Sequence, residues 1–195
     1  MKKYLILLLC LIIGAESYAQ KIKVACVGNS ITFGAGISNR AKDSYPAQLQ
    51  KLLGDEYEVR NFGVSGTTAL YNGITPYVQT SQYRESLEFN PDIVFIKFGT
   101  NDAGVRNNKF RPAFGEDYRK VVDTYRNLPS KPRVILLTPI RSFMPEHHPD
   151  DVIVKEMIPI INQVAYERNL DIINLHNIYG DKWQQSLMPD KLHPS

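Results

Sequence analysis

Five stretches of this chain are rich in apolar residues, PDIVFIKFG almost continuously so, and they alternate with stretches whose apolar residues recur at helical spacing. The strand-like stretches are KIKVACVG from Lys21, YEVRNFGVSG from Tyr57, PDIVFIKFG from Pro91, RVILLTPI from Arg133 and LDIINLHNIY from Leu170. A strand with one face in water alternates apolar and polar residues; a strand covered on both faces has no need to. The helix-like stretches are SYPAQLQKLLG, stopped by Gly54, GEDYRKVVDTYRNL, with acidic residues at its start, and VIVKEMIPIINQVAYERN. In the last of these Pro159 predicts a kink or a late start, because proline cannot donate a helical hydrogen bond. Strands and helices in this order predict one α/β domain, a three-layer, doubly wound, flavodoxin-like sandwich around a five-stranded parallel sheet. In such sheets ligands bind in the crevice beyond the carboxyl ends of the strands.

The first twenty residues, MKKYLILLLCLIIGAESYAQ, stand outside that pattern. Lys2 and Lys3 precede an apolar run too short to span a bilayer, and SYA supplies small residues ahead of Gln20. The expectation is a secretory signal over residues 1–19, cut after Ala19, and a secreted or periplasmic domain over 20–195 with no stable membrane insertion. A lipoprotein cut at Cys10 fits less well, because Leu9 is a poor residue to precede it. Cys26 is then the one cysteine left, within an apolar strand, so no disulfide framework is expected. The formal net charge is only +3, with no basic run interleaved with aromatics, which argues against a nucleic-acid partner. The chemistry has to come from particular side chains.

Short polar motifs gather where the strands end. Ser30 follows the first strand in GNSIT, Gly63 and Gly66 follow the second in NFGVSG, and GTND, residues 99–102, follows the third. Each alone reads as a turn, but turns do not account for all three lying on one edge of the sheet. A serine hydroxyl is a weak nucleophile until a base takes its proton. Of the four histidines, His176 reads as a packed or strand-end residue of the fifth strand, and His147 and His148 in PEHHPDD read as a solvated loop ahead of a weak metal site. His193 lies three residues after Asp190 in PDKLHPS, a spacing that lets a carboxylate hold one ring nitrogen while the other faces Ser30. Glycine-rich turns with free backbone N–H groups, and the Asn101 amide, suit an oxyanion.

In this order GNSIT, NFGVSG, GTND and DKLHP resemble the blocks of the SGNH hydrolases, the superfamily of the GDSL esterases and lipases, over the chain from Val24 to its end. The resemblance implies Ser30 as nucleophile, His193 as general base and then acid, and Asp190 as the residue that orients it. It also implies Ser30 N–H, Gly66 N–H and the Asn101 side chain as oxyanion donors, with no cofactor and no metal. The usual first block is Gly-Asp-Ser; Asn29 keeps the shape and the hydrogen bonding and loses the charge. GNSIT and SYPAQL are similar to a carbohydrate O-acetylesterase branch. Family members usually continue past the histidine into a helix that packs on the sheet. The ending at Ser195 therefore predicts a missing C-terminal helix, an apolar strip left uncovered near the first strand, and a mobile Asp190–His193 loop.

The activity expected is removal of acetyl or other short acyl groups from carbohydrate hydroxyls, with O-acetylated sialic acid or acetylated xylan as candidate substrates. A lysophospholipase or thioesterase would need an apolar trough near Ser30, and the tyrosines of ALYNGITPYVQTSQY could line one, stack on sugars or simply pack. A noncatalytic glycan-binding module would usually have lost Ser30, Asn101 or His193, and all three are present. The oligomeric state is not legible.

Overall fold

The computed structural model describes residues 20–179 and 187–194; the expected signal segment lies outside them. Five strands, β1 (Ile22–Gly28), β2 (Tyr57–Gly63), β3 (Ile93–Lys97), β4 (Arg133–Leu137) and β5 (Asp171–Ile173), form one sheet in the order β2-β1-β3-β4-β5. Every pairing is parallel, with Gly28 opposite both Gly63 and Lys97 at the carboxyl ends. The strand order reverses between β1 and β3, and the first three motifs emerge there.

The main helices are α1 (Ser30–Phe33), α2 (Tyr45–Leu53), α3 (Ser81–Glu88), α4 (Phe114–Arg126), α5 (Ile158–Arg168) and α6 (Leu175–Tyr179). Pro159 acts at the start of α5. A π-helical stretch, Ile153–Met157, precedes it and widens the turn ahead of the residue that cannot donate. α3 was not expected from its sequence, which is mostly polar. Thr80 caps it, its hydroxyl oxygen accepting from the Tyr83 N–H at 3.1 Å, and Ser86 and Leu87 turn towards the core. The fifth apolar stretch is strand only as far as Ile173. Asn174 then accepts from the Asn177 N–H at 3.0 Å and starts α6, which places His176 in a helix and not in the strand.

One face of the sheet is dry. Ala25, Val27, Val94, Ile96 and Leu136 pack under α3, α4 and α5 with no exposure. Burying one such aliphatic side chain is worth about 1.5–3 kcal/mol, so this face dominates the stability. The other face is covered unevenly. Val24 and Cys26 are fully buried, with the Tyr45 hydroxyl of α2 beside Cys26, whose thiol burial pushes up to about 12. The uncovered strip expected near the first strand is therefore not there. Further along the same face Ile93 and Phe95 of β3 are half-buried, Ile135 and Leu137 of β4 are buried, and Ile173 at the β5 edge is 38% exposed. α2 packs on β2 and brings Tyr45 over β1.

Candidate active site

The site starts from how α1 is seated. Gly63 ends β2 directly beneath it, and a Cβ there would lie 2.2 Å from the Phe33 nitrogen. Glycine thus lets the first turn of α1 rest on the strand end. Asn29 caps the helix, its side-chain oxygen accepting from the Ile31 N–H at 3.2 Å. This is the bond an aspartate would also make, and the Asn29 amide nitrogen is buried with no partner among the described residues. Ser30 is the first residue of α1, mostly buried, with its hydroxyl directed at the loop from the far end of the sequence.

That loop carries the other two residues. The Ser30 Oγ lies 2.8 Å from His193 Nε2, and His193 Nδ1 lies 2.6 Å from Asp190 Oδ2. The second carboxylate oxygen of Asp190 accepts from the backbone N–H groups of Leu192 and His193, both at 3.0 Å. Burial works to raise the Asp190 carboxyl, and the hydrogen bonds from the His193 N–H, the His193 ring and the Leu192 N–H outweigh it, holding it below the usual carboxylate range. Asp190 is thus ionised and, at neutral pH, fixes the proton of His193 on Nδ1, leaving Nε2 to accept from Ser30. The loop is tied down by the Met188 N–H donating to the His193 carbonyl at 2.8 Å and the Phe143 N–H donating to the Lys191 carbonyl at 3.2 Å.

The second and third motifs meet at the same carboxyl edge of the sheet. Gly66 has φ +80°, which a side chain tolerates poorly, although nothing crowds its Cβ position. Its glycine is required by conformation. Asn101 Nδ2 donates to the Thr67 carbonyl at 2.8 Å, which spends one of its two hydrogens and orients the other. Asp102, quoted in the motif but given no role from sequence, joins the two turns. It is wholly buried and accepts from the N–H groups of Ala69 (2.8 Å), Leu70 (3.1 Å) and Gly99 (2.8 Å). Burial pushes its carboxyl up to about 6, against those bonds. The consequence is a fixed spacing between the Gly66 turn and Asn101.

The remaining histidines divide. His176 is buried at the start of α6, with Nε2 3.2 Å from the Asp150 carboxylate, so it packs away from the site. His148 departs from the solvated-loop expectation. It is half-buried, with Nδ1 3.2 Å from the Thr100 carbonyl, and it lines a pocket of about 340 Å³ that Gly66 and Asn101 also line. Only the docking of its loop reveals this, so no local signal in PEHHPDD could have. Among the described residues no group of three or more His, Cys, Asp or Glu side chains is placed to hold a metal ion, and no helix is long and apolar enough to cross a membrane. The tyrosines weighed for an apolar trough largely pack: Tyr77 is fully buried, with its ring against Phe98 and its hydroxyl donating to the Phe62 carbonyl.

The sequence profile of the GDSL-like Lipase/Acylhydrolase family matches residues 26–195. The chain belongs to this family. Within it, an acetylxylan esterase from Xylanibacter ruminicola is 40% identical over 89% of this chain. The match covers 40% of that longer protein, so the chain spans about two fifths of the curated relative. Among solved structures, an acetylxylan esterase from Geobacillus stearothermophilus superposes with a TM-score of 0.67 at 19% identity, covering 91% of this chain and 88% of the other. A carbohydrate acetylesterase family member from Sinorhizobium meliloti gives a TM-score of 0.64 at 17% identity, covering 89% and 90%. These two likenesses show the fold alone, the α/β domain described above.

Proposed function

We propose that this domain hydrolyses acetyl esters on carbohydrate hydroxyls through an acyl-enzyme on Ser30. The observation that carries the reading is the unbroken hydrogen-bonded line from Asp190 through His193 to Ser30, beside the joined turns of Gly66 and Asn101. Family membership and the 40% identity to an acetylxylan esterase support it, and they favour an acetylated plant polysaccharide over O-acetylated sialic acid.

The Ser30 proton passes to His193 Nε2 as Oγ attacks the ester carbonyl. The developing oxyanion takes hydrogen bonds from Ser30 N–H, Gly66 N–H and the free hydrogen of Asn101 Nδ2. His193, now doubly protonated and held by Asp190, gives its Nε2 proton to the sugar oxygen as the C–O bond breaks. Water then attacks the acetyl-Ser30 carbonyl and loses a proton to His193. The second tetrahedral adduct collapses to acetic acid, which ionises in solvent, and the proton on His193 returns to Ser30. Each proton moves between atoms that hydrogen-bond at some point in the cycle.

We also propose that residues 1–19 are a cleaved secretory signal, which would put the domain where polymeric glycans are met. N-terminal sequencing of the exported protein tests this, with Gln20 as the expected first residue. Acetate release from acetylated xylan tests the activity, alongside p-nitrophenyl esters of increasing length. Activity should fall steeply from acetyl to octanoyl. Equal or rising activity on octanoyl esters would replace this reading with a lipase-like one.

A further inference from the structure

The oxyanion groups at this site all donate hydrogen bonds, yet the pocket wall facing them ends in an acceptor. The His148 Nδ1 lies 3.2 Å from the Thr100 carbonyl. A carbonyl oxygen can only accept, so Nδ1 carries the hydrogen and the neutral ring presents a lone pair at Nε2. Burial, together with the charges of His147 and His193, keeps the ring below its ordinary pKa against the pull of the Thr100 carbonyl. No hydrogen bond to Nε2 occurs among the described residues.

The backbone that carries the ring is held on both sides. The His148 N–H donates to the Met144 carbonyl at 2.8 Å, and the Val105 N–H donates to the His147 carbonyl at 3.1 Å. The second bond pins the histidine loop to the segment just after Asn101. Gly66, Asn101 and His148 therefore wall one pocket of about 340 Å³. The segment that carries His148 also packs on the loop that carries His193, the Phe143 N–H donating to the Lys191 carbonyl at 3.2 Å. The oxygen that leaves must lie at His193, because His193 protonates it. A fixed acceptor near His193 is therefore on the side of the alcohol and not of the acyl methyl.

From this juxtaposition we infer that His148 Nε2 accepts a hydrogen bond from the free hydroxyl adjacent to the acetylated oxygen of the sugar. His148 is then a specificity residue that selects sugars acetylated at one of two neighbouring hydroxyls. A fully substituted neighbour has no hydrogen to give and leaves the lone pair unmet. The inference rests on the carbohydrate acetylesterase reading above.

The test is a cycle of two substrates and two proteins. The substrates are a methyl xyloside carrying one acetyl group beside a free hydroxyl, and the same compound with that hydroxyl replaced by hydrogen. In the wild type, kcat/KM for the hydroxyl substrate should exceed that for the deoxy substrate by roughly tenfold or more. In His148→Leu the ratio should fall towards one, and in His148→Gln, which keeps an acceptor oxygen, it should lie between. The cycle cancels any difference in intrinsic reactivity between the two esters. A wild-type ratio near one, or a ratio unaltered in both variants, overturns the inference while the esterase reading stands. A wild type inactive on both sugars overturns that reading and the inference with it.

Discussion

Lys97 at the end of β3 and Asp102 in the turn after it are both wholly buried, and their surroundings are opposite. Asp102 faces the crevice and accepts three backbone N–H bonds. Lys97 lies on the underside of the sheet, the side that α2 covers, and lines a cavity of about 360 Å³ with Ile31, Leu137, Ile140 and Leu175 and with the polar Asp43, Tyr45 and Gln48. Its amine has no hydrogen-bond partner among the described residues. Burial pushes Lys97 down to about 7, with the Asp102 charge pulling the other way. The crevice thus uses a buried charge to lock two motifs together, and the underside carries one that binds nothing. Substitutions in the crevice should therefore be read in kcat, and substitutions on the underside in stability.

After loss of the nucleophile itself, the largest effect expected is at the residue that orients the base. Asp190→Asn keeps the shape of the loop but no longer holds the Nδ1 proton of His193 by charge, and kcat should fall about 10⁴-fold, as when the tautomer of a triad histidine is lost. The thermal midpoint should barely move, since Asp190 is exposed; a kcat within tenfold of wild type would remove Asp190 from the mechanism.

Asp102→Ala should cross the divide. It strands three buried N–H groups at about 1–3 kcal/mol each, so the denaturant midpoint should drop by the equivalent of at least 3 kcal/mol. Because the same bonds hold the Gly66 turn against Asn101, kcat should also fall in whatever fraction remains folded. A variant that loses stability but keeps full kcat would show that the turns keep their spacing without it.

Asn101→Ala removes one oxyanion donor and should cost about 3 kcal/mol of transition-state stabilisation, seen as a 10²–10³-fold loss in kcat. A raised KM with kcat unchanged would make Asn101 a ground-state binding residue instead.

The smallest effect lies on the underside. A lysine titrating near 7 when folded and near 10.5 when unfolded holds fewer protons in the folded state across that interval. Its contribution therefore makes stability rise with pH from about 7 to 10.5, and the burial cost is fully present below 7. Lys97→Met should stabilise the protein by roughly 1–4 kcal/mol at pH 7, with the gain shrinking towards pH 10 and kcat unchanged. Urea titrations at pH 7 and pH 10 measure this. Equal stability of the two proteins at both values would mean the amine is solvated or paired in solution.

The sequence shows the strands and the crevice well, because a continuous apolar run and a glycine-rich strand end are local signals. Ser30 and His193 meet across nearly the whole length of the chain, yet each lies in a motif readable on its own. The misses share one cause: partners distant in sequence. α3 is polar in composition and is helical because Thr80 caps it and its few core-facing residues meet β1 and β2. Asp102 joins the two turns through N–H groups from residues 69 and 70, far from it in sequence. His148 is drawn in by Thr100, and Lys97 passes as one polar residue in an apolar strand until the strand's two faces are told apart. The expected strip at the first strand is absent because α2 covers β1, which depends on how the helices pack.

The acetyl-enzyme tests the central claim most directly. Wild type mixed with excess p-nitrophenyl acetate and quenched in acid should carry the mass of one acetyl group, and digestion should place it on the peptide containing Ser30. Ser30→Ala should take up none and lose about 10⁶-fold in kcat with an unchanged thermal midpoint. Acetyl on a different residue, or wild-type-like turnover by Ser30→Ala, would contradict the account.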